Sequence, residues 1–159
     1  MDEEGSGKNL TTPEFKQKLG SLLTYLTKHL QLKEPPSSLK IVNSKKNADN
    51  PFGFTGHYDH TAKKITLYIT DRHDTDILRS FAHEVIHHWQ NERGVLHPES
   101  NGVAMPDNDT KPRYAQNNLW LRKREMEAYL FGNILFRDWQ DEQRMGPLPQ
   151  EPFLPQPYD

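Results

Sequence analysis

The apolar positions of this 159-residue chain change period along its length, and the changes mark out its elements. Phe15, Leu19, Leu22, Leu23, Leu26 and Leu30 recur at three- and four-residue spacing, the repeat of a helix with one buried stripe. Thr11-Thr12-Pro13-Glu14 starts that helix, with proline at its first position and an acid in its first turn. Pro35-Pro36 is a stop signal. Residues 39–42 predict a short strand, residues 45–51 read as polar and turn-rich, and residues 52–58 and 64–70 have strand composition. Ile65, Leu67 and Ile69 alternate with Thr66, Tyr68 and Thr70, as in a strand buried on one face.

The helical period returns with Ile77, Leu78, Phe81, Ala82, Val85 and Trp89 on one side and Ser80, His83, His87 and Asn91 on the other. Asp74 or Thr75 can cap this helix, and Gly94 ends it. Residues 95–112 form a long irregular segment of the kind that supplies lids and rims. A second strong helix is expected over about 113–143. Its main apolar side is Leu119, Met126, Leu130 and Ile134, broadened by Trp120, Tyr129, Phe131 and Phe136. The organisation expected is a flexible lead (1–9), one domain (10–143) and a proline-rich, disordered tail (144–159). The fold class is α+β: a small twisted sheet, one helix packed on it, an N-terminal packing helix and a C-terminal helix.

The chemistry concentrates in His83-Glu84-Val85-Ile86-His87. On a helix, positions i and i+4 lie one turn apart on the same face. Two imidazoles so placed can each bring a nitrogen to about 2.0–2.1 Å from one Zn²⁺. Glu84 is beside that pair, where a carboxylate can take a proton from a metal-activated water.

Composition narrows the choices. With no cysteine, thiolate sites are excluded, and any zinc must be held by histidine and carboxylate. A net charge of −2 carries no nucleic-acid signature. No apolar run of spanning length, signal peptide or lipidation motif is visible, so the expectation is a soluble cytoplasmic protein with no membrane partner. Oligomeric state is not legible.

The motif resembles that of the HExxH zinc metallopeptidases, the zincins. The resemblance implies two histidine ligands (His83 and His87), a glutamate base (Glu84), a third protein ligand and a peptide substrate. It also implies that the strand entering the motif helix is an edge strand, to which an extended peptide can add by main-chain hydrogen bonds. Metzincins place a third histidine six residues after the second; Arg93 stands there, so that subclass is excluded. Glu125, Glu127 and His97 remain as candidates. The two glutamates lie about 200° apart around their helix, so one of them at most can face the metal. Glu125 shares its side with Ala128 and Gly132, small residues that allow close helix approach. Glu127 shares its side with Leu130, Phe131 and Ile134. Alternatively both glutamates are solvated and one pairs with Arg122 or Arg124.

The run Glu125-Met126-Glu127-Ala128 also resembles the gluzincin third-ligand helix, Glu-x-x-Ala, and in particular that of ImmA/IrrE-like peptidases. This favours Glu125. His97-Pro98-Glu99 resembles the loop histidine of SprT-like peptidases, without the flanking glycines. The function expected is a zinc-dependent peptidase, of a size that would suit a bacterial or phage regulatory peptidase. The alternative is a non-catalytic zinc-binding structural or interaction protein, which a fourth protein ligand such as His97 would mark. Tyr129 or Tyr114 are candidates to stabilise an oxyanion. His88 reads as structural, and His57, His60 and His73 flank the strands.

Overall fold

Four helices and three strands form among residues 12–96, 119–146 and 155, which this computed structural model describes. The lead expected at 1–9, His97, Tyr114 and most of the proline-rich tail lie outside the described residues.

Helix α1 (Pro13–Leu30) starts as its sequence directs: Phe15 N–H donates to Thr12 Oγ1 at 3.1 Å, with Pro13 in the first turn. Phe15, Leu19, Leu22, Leu26 and Leu30 are buried. The helix stops at Gln31, left-handed at φ +55°, before Pro35-Pro36 is reached. Leu32 N–H closes it on Thr27 O at 3.0 Å.

Strands β1 (Ser38–Val42), β2 (Gly56–Asp59) and β3 (Lys64–Tyr68) pair in the order β1-β3-β2. β1 runs parallel to β3, and β2 antiparallel to it. Ile65 and Leu67 are fully buried while Thr66 and Tyr68 are half-buried, so the alternation in β3 carries through. Its position differs from expectation. β3, which leads into the motif helix, is the central strand, because the chain crosses over after β1 and returns parallel to it. The edge strand beside the motif helix is β2. Between β1 and β2, the segment expected to be turns contains a short helix, α2 (Lys45–Asp49), capped by Ser44 Oγ, which accepts from Asn47 N–H at 3.1 Å. Five residues are too few to show an amphipathic period.

Helix α3 (Asp74–Glu92) carries the motif. Its N-cap is His73, which makes no side-chain cap bond, so neither Asp74 nor Thr75 caps it; Asp74 and Asp76 instead lie in the first turn, at the positive end of the helix dipole. Gly94 does end it: φ is +73°, and Val95 N–H reaches back to Gln90 O at 3.1 Å. All six residues of the predicted stripe are buried.

Helix α4 (Leu119–Met145) packs along α3 through a face that hydrophobicity alone did not select. Leu119, Met126 and Leu130, on the predicted main side, are 65%, 54% and 41% exposed. The buried face is Ala128, Phe131, Gly132, Leu135, Phe136 and Trp139, together with Arg124 and Glu127. Small residues decide this. A Cβ on Gly132 would lie 3.2 Å from His83 Cα, so only this face brings the two backbones so close. The fold is α+β, with one hydrophobic core shared by α1, α3, α4 and the sheet. Among the described residues, no helix is long and apolar enough to cross a membrane.

Candidate metal centre

The two backbones meet where the motif lies. One turn separates His83 from His87 on α3, and their rings sit edge to face with centroids 4.9 Å apart. Glu125 reaches them from α4. Its Oε1 accepts from His83 Nε2 at 3.2 Å and from His87 Nε2 at 3.1 Å. One carboxylate oxygen thus lies between two imidazole nitrogens. The donor atoms of His83, His87 and Glu125 all fall within 4.8 Å of one another, close enough to hold a metal ion. Two nitrogens and a carboxylate oxygen are a donor set of the kind that His₂Glu metal sites use.

The protonation pattern of the metal-free site follows from this geometry. Burial pushes the Glu125 carboxyl up, but hydrogen bonds and charge from His83 and His87 outweigh it, holding the group well below the usual carboxylate range. Burial pulls the His87 imidazole down, and the Glu125 carboxylate overrides that, so His87 is raised to about 9. Protons on the two Nε2 atoms therefore occupy positions that a cation can take over.

Glu84 lies on the next flank of α3, 6% exposed. Burial pushes its carboxyl up, the two histidines oppose this, and Glu125 adds to it. Its carboxylate packs on Gly56 of β2, where a Cβ would stand 3.0 Å from Glu84 Oε2. Only a residue without a side chain allows the edge strand to pass so close.

The other candidates separate clearly. Glu127, expected to be solvated or poorly placed, is fully buried behind the site, 3.7 Å from Arg93 Nη1 and 3.8 Å from Arg124 Nη1. Arg124, three residues earlier on the same helix, is a partner that spacing offered, whereas Arg93 and Gln90 meet Glu127 from α3, which local pattern could not announce. Tyr129 stays at the site, its ring centroid 4.5 Å from that of His83. Burial, then the Glu125 and Glu84 charges, raise its phenol. His88 is 1% exposed and faces away, toward β2. His29 stacks on Tyr25, with centroids 4.0 Å apart. His57 is exposed on β2, near enough to Glu84 to lower its carboxyl slightly.

One contributor was missed by sequence reasoning. Gln90 Oε1 accepts from His87 Nδ1 at 2.8 Å. The signal was available, since Gln90 follows His87 by three residues and shares its face.

The chain matches no family model, no curated protein and no solved structure, so a functional reading has to rest on the geometry of this site.

Proposed function

We propose that this protein is a zinc-dependent peptidase of gluzincin type. The observation that carries the reading is the convergence of His83, His87 and Glu125, with the Glu84 carboxylate buried beside them. His83 Nε2, His87 Nε2 and the Glu125 carboxylate would hold the ion. A bound zinc supplies Lewis acidity, polarising a carbonyl and acidifying a water.

The rest is the work of side chains. Glu84 takes the proton of the attacking water and passes it to the leaving amide nitrogen. Its raised affinity for a proton in the metal-free site suits the first half of that cycle, taking the proton. The Tyr129 phenol, 63% exposed beside the His83 ring and made less acidic by partial burial and nearby carboxylates, can donate a hydrogen bond to a developing oxyanion.

Substrate placement is supported by β2. Among the described residues β2 pairs in the sheet only with β3, and its Gly56 touches Glu84. An extended peptide adding to that edge would run past the general base. The predicted edge role thus passes from β3 to β2.

The test has two arms. Purified protein should hold one zinc per chain and cleave members of an unstructured peptide library. Glu84→Gln should keep the zinc and lose about 10²–10⁴-fold in turnover. Zinc retention with undiminished cleavage in Glu84→Gln would remove the mechanism. Zinc binding with no cleavage of any peptide would instead support the non-catalytic reading.

A further inference from the structure

Gln90 is fully buried, and its partners dictate which way its carboxamide points. Its Nε2 lies 2.9 Å from the main-chain oxygen of Arg124 and 2.8 Å from Glu127 Oε1. A carbonyl can only accept, and so can an ionised carboxylate flanked by two guanidinium groups. The amide nitrogen must therefore face them, since a flipped amide would set oxygen against two oxygens. Gln90 Oε1 is left facing His87 Nδ1, and it can only accept. His87 Nδ1 must then carry a proton and donate it. The nitrogen left for a metal is Nε2, the one that meets Glu125.

We infer that Gln90, locked by Glu127 and the Arg124 carbonyl, is the positioning residue of the metal centre, fixing both the ring of His87 and the nitrogen it offers. The inference rests on the reading of His83, His87 and Glu125 as metal ligands. It assigns Glu127 a place in the same relay: Glu127 holds Gln90, Gln90 holds His87, and His87 meets the ion. It also explains why a glutamate so near the candidate third ligand faces away from the site and is fully buried. All three members of the relay are enclosed, so no solvent water can substitute for a lost partner without a place being made for it.

The test compares zinc affinity, by competition with a chromophoric chelator, in the full-chain wild type, Gln90→Met and the double variant that combines Gln90→Glu with Glu127→Gln. Gln90→Met keeps the length of the side chain and removes the acceptor, and should weaken zinc binding about 10–100-fold. The double variant exchanges the amide and the carboxylate. The carboxylate introduced at position 90 would accept from His87 Nδ1, and the amide introduced at position 127 would donate to that carboxylate. The Arg124 carbonyl, unchanged by the exchange, is left opposite a carboxylate oxygen, so affinity should recover only in part, ending above Gln90→Met and below wild type.

The second readout is the imidazole ¹⁵N spectrum of the zinc-loaded wild type. It should show His87 coordinated through Nε2 with a slowly exchanging proton on Nδ1, and Gln90→Met should lose that slow exchange. A purely structural role for Gln90 would lower the melting temperature of Gln90→Met without altering the His87 signature. Unchanged zinc affinity in Gln90→Met, or zinc on His87 Nδ1 in wild type, would overturn the inference while leaving the metal centre intact. The wild-type spectrum decides the matter even if Gln90→Met fails to fold. Absence of zinc binding by wild type would overturn both readings.

Discussion

His87 and His88 are neighbours in sequence and both are buried, yet the fold uses them in opposite ways. His88 has each ring nitrogen on a protein partner. Asn91 Nδ2 donates to the Tyr58 oxygen at 3.0 Å, which leaves the phenol proton for His88 Nδ1 at 2.7 Å. His88 Nε2 then donates to Glu34 O at 2.8 Å. The chain of donors is directed and closed, and it ties α3 to β2 and to the segment after α1. His87 carries its fixed proton on Nδ1, held by Gln90. Its Nε2 converges with His83 Nε2 on one oxygen of Glu125. The difference lies in the second nitrogen, not in burial. A histidine whose two nitrogens end on fixed protein partners is a strut, whereas one whose second nitrogen joins other donors is equipped to hold an ion.

Substituting each in turn puts that contrast to its hardest test. His87→Ala should reduce zinc affinity by more than about a hundredfold, beyond what an outer partner contributes. His88→Ala should leave zinc affinity within about threefold, since it shares no partner with the site. It should instead cost about 2–4 kcal/mol of folding stability, because the Tyr58 hydroxyl and the Glu34 carbonyl lose buried partners. Chelator competition and denaturant titration on the same two variants give the crossed pattern. If both variants lose zinc and stability alike, the two histidines belong to one network and the contrast fails.

Much of this arrangement was legible from residue spacing. His83, Glu84 and His87 follow from the i, i+1, i+4 geometry of a helix, and Glu125 follows from the small residues at 128 and 132 that share its side. What was hidden depends on partners remote in the chain. The apolar count on α4 favoured Leu119, Met126 and Leu130, but these are exposed, while Glu127 is buried because Gln90 and Arg93 of α3 meet it there, beside the Arg124 that spacing had offered. Alternation told that β3 has one buried face. It could not tell that β1 would lie parallel alongside it and move the free edge to β2. Gly56 has no local signature at all, since its reason for being glycine is a carboxylate on another element.

A milder probe of the strut is alkaline pH. Burial raises the Tyr58 phenol to about 12, with Asn91 opposing and Glu92 and Asp59 adding to the rise. The fold therefore favours the neutral phenol. That contribution is complete below the ordinary value of 10.0 and is lost as pH climbs through about 12. Wild-type stability should fall across that window, and Tyr58→Phe should fall less steeply. Tyr58→Phe should itself cost about 1–3 kcal/mol at neutral pH, for the stranded partners His88 and Asn91. Phenolate absorbance and melting temperature followed together against pH report both. Since Tyr25 is also raised to about 12 by burial, Asp138 and Glu142, the phenylalanine variant should keep part of the alkaline loss. A curve identical to wild type would mean that Tyr58 does not titrate with folding.

The smallest expected effect concerns the distance between α3 and α4. Two glycines sit inside helices with different surroundings. A Cβ at Gly20 in α1 would meet nothing within 4 Å, whereas one at Gly132 would meet His83 Cα at 3.2 Å, His83 N at 3.3 Å and Ala82 C at 3.6 Å. Helix propensity favours alanine at both by about 0.5–1 kcal/mol. Gly20→Ala should therefore stabilise the protein by about that amount and leave zinc binding alone. Gly132→Ala gains the same propensity but presses on backbone, which cannot swing aside, so the helices must separate by a few tenths of an ångström. That separation acts directly on the span from Glu125 to the two histidines. Zinc affinity should drop by less than about tenfold, below the effect of removing the acceptor on Gln90, and stability should not rise. Equal stabilisation by both alanines, with zinc binding unchanged, would mean that the close approach at Gly132 does not set the geometry of the centre.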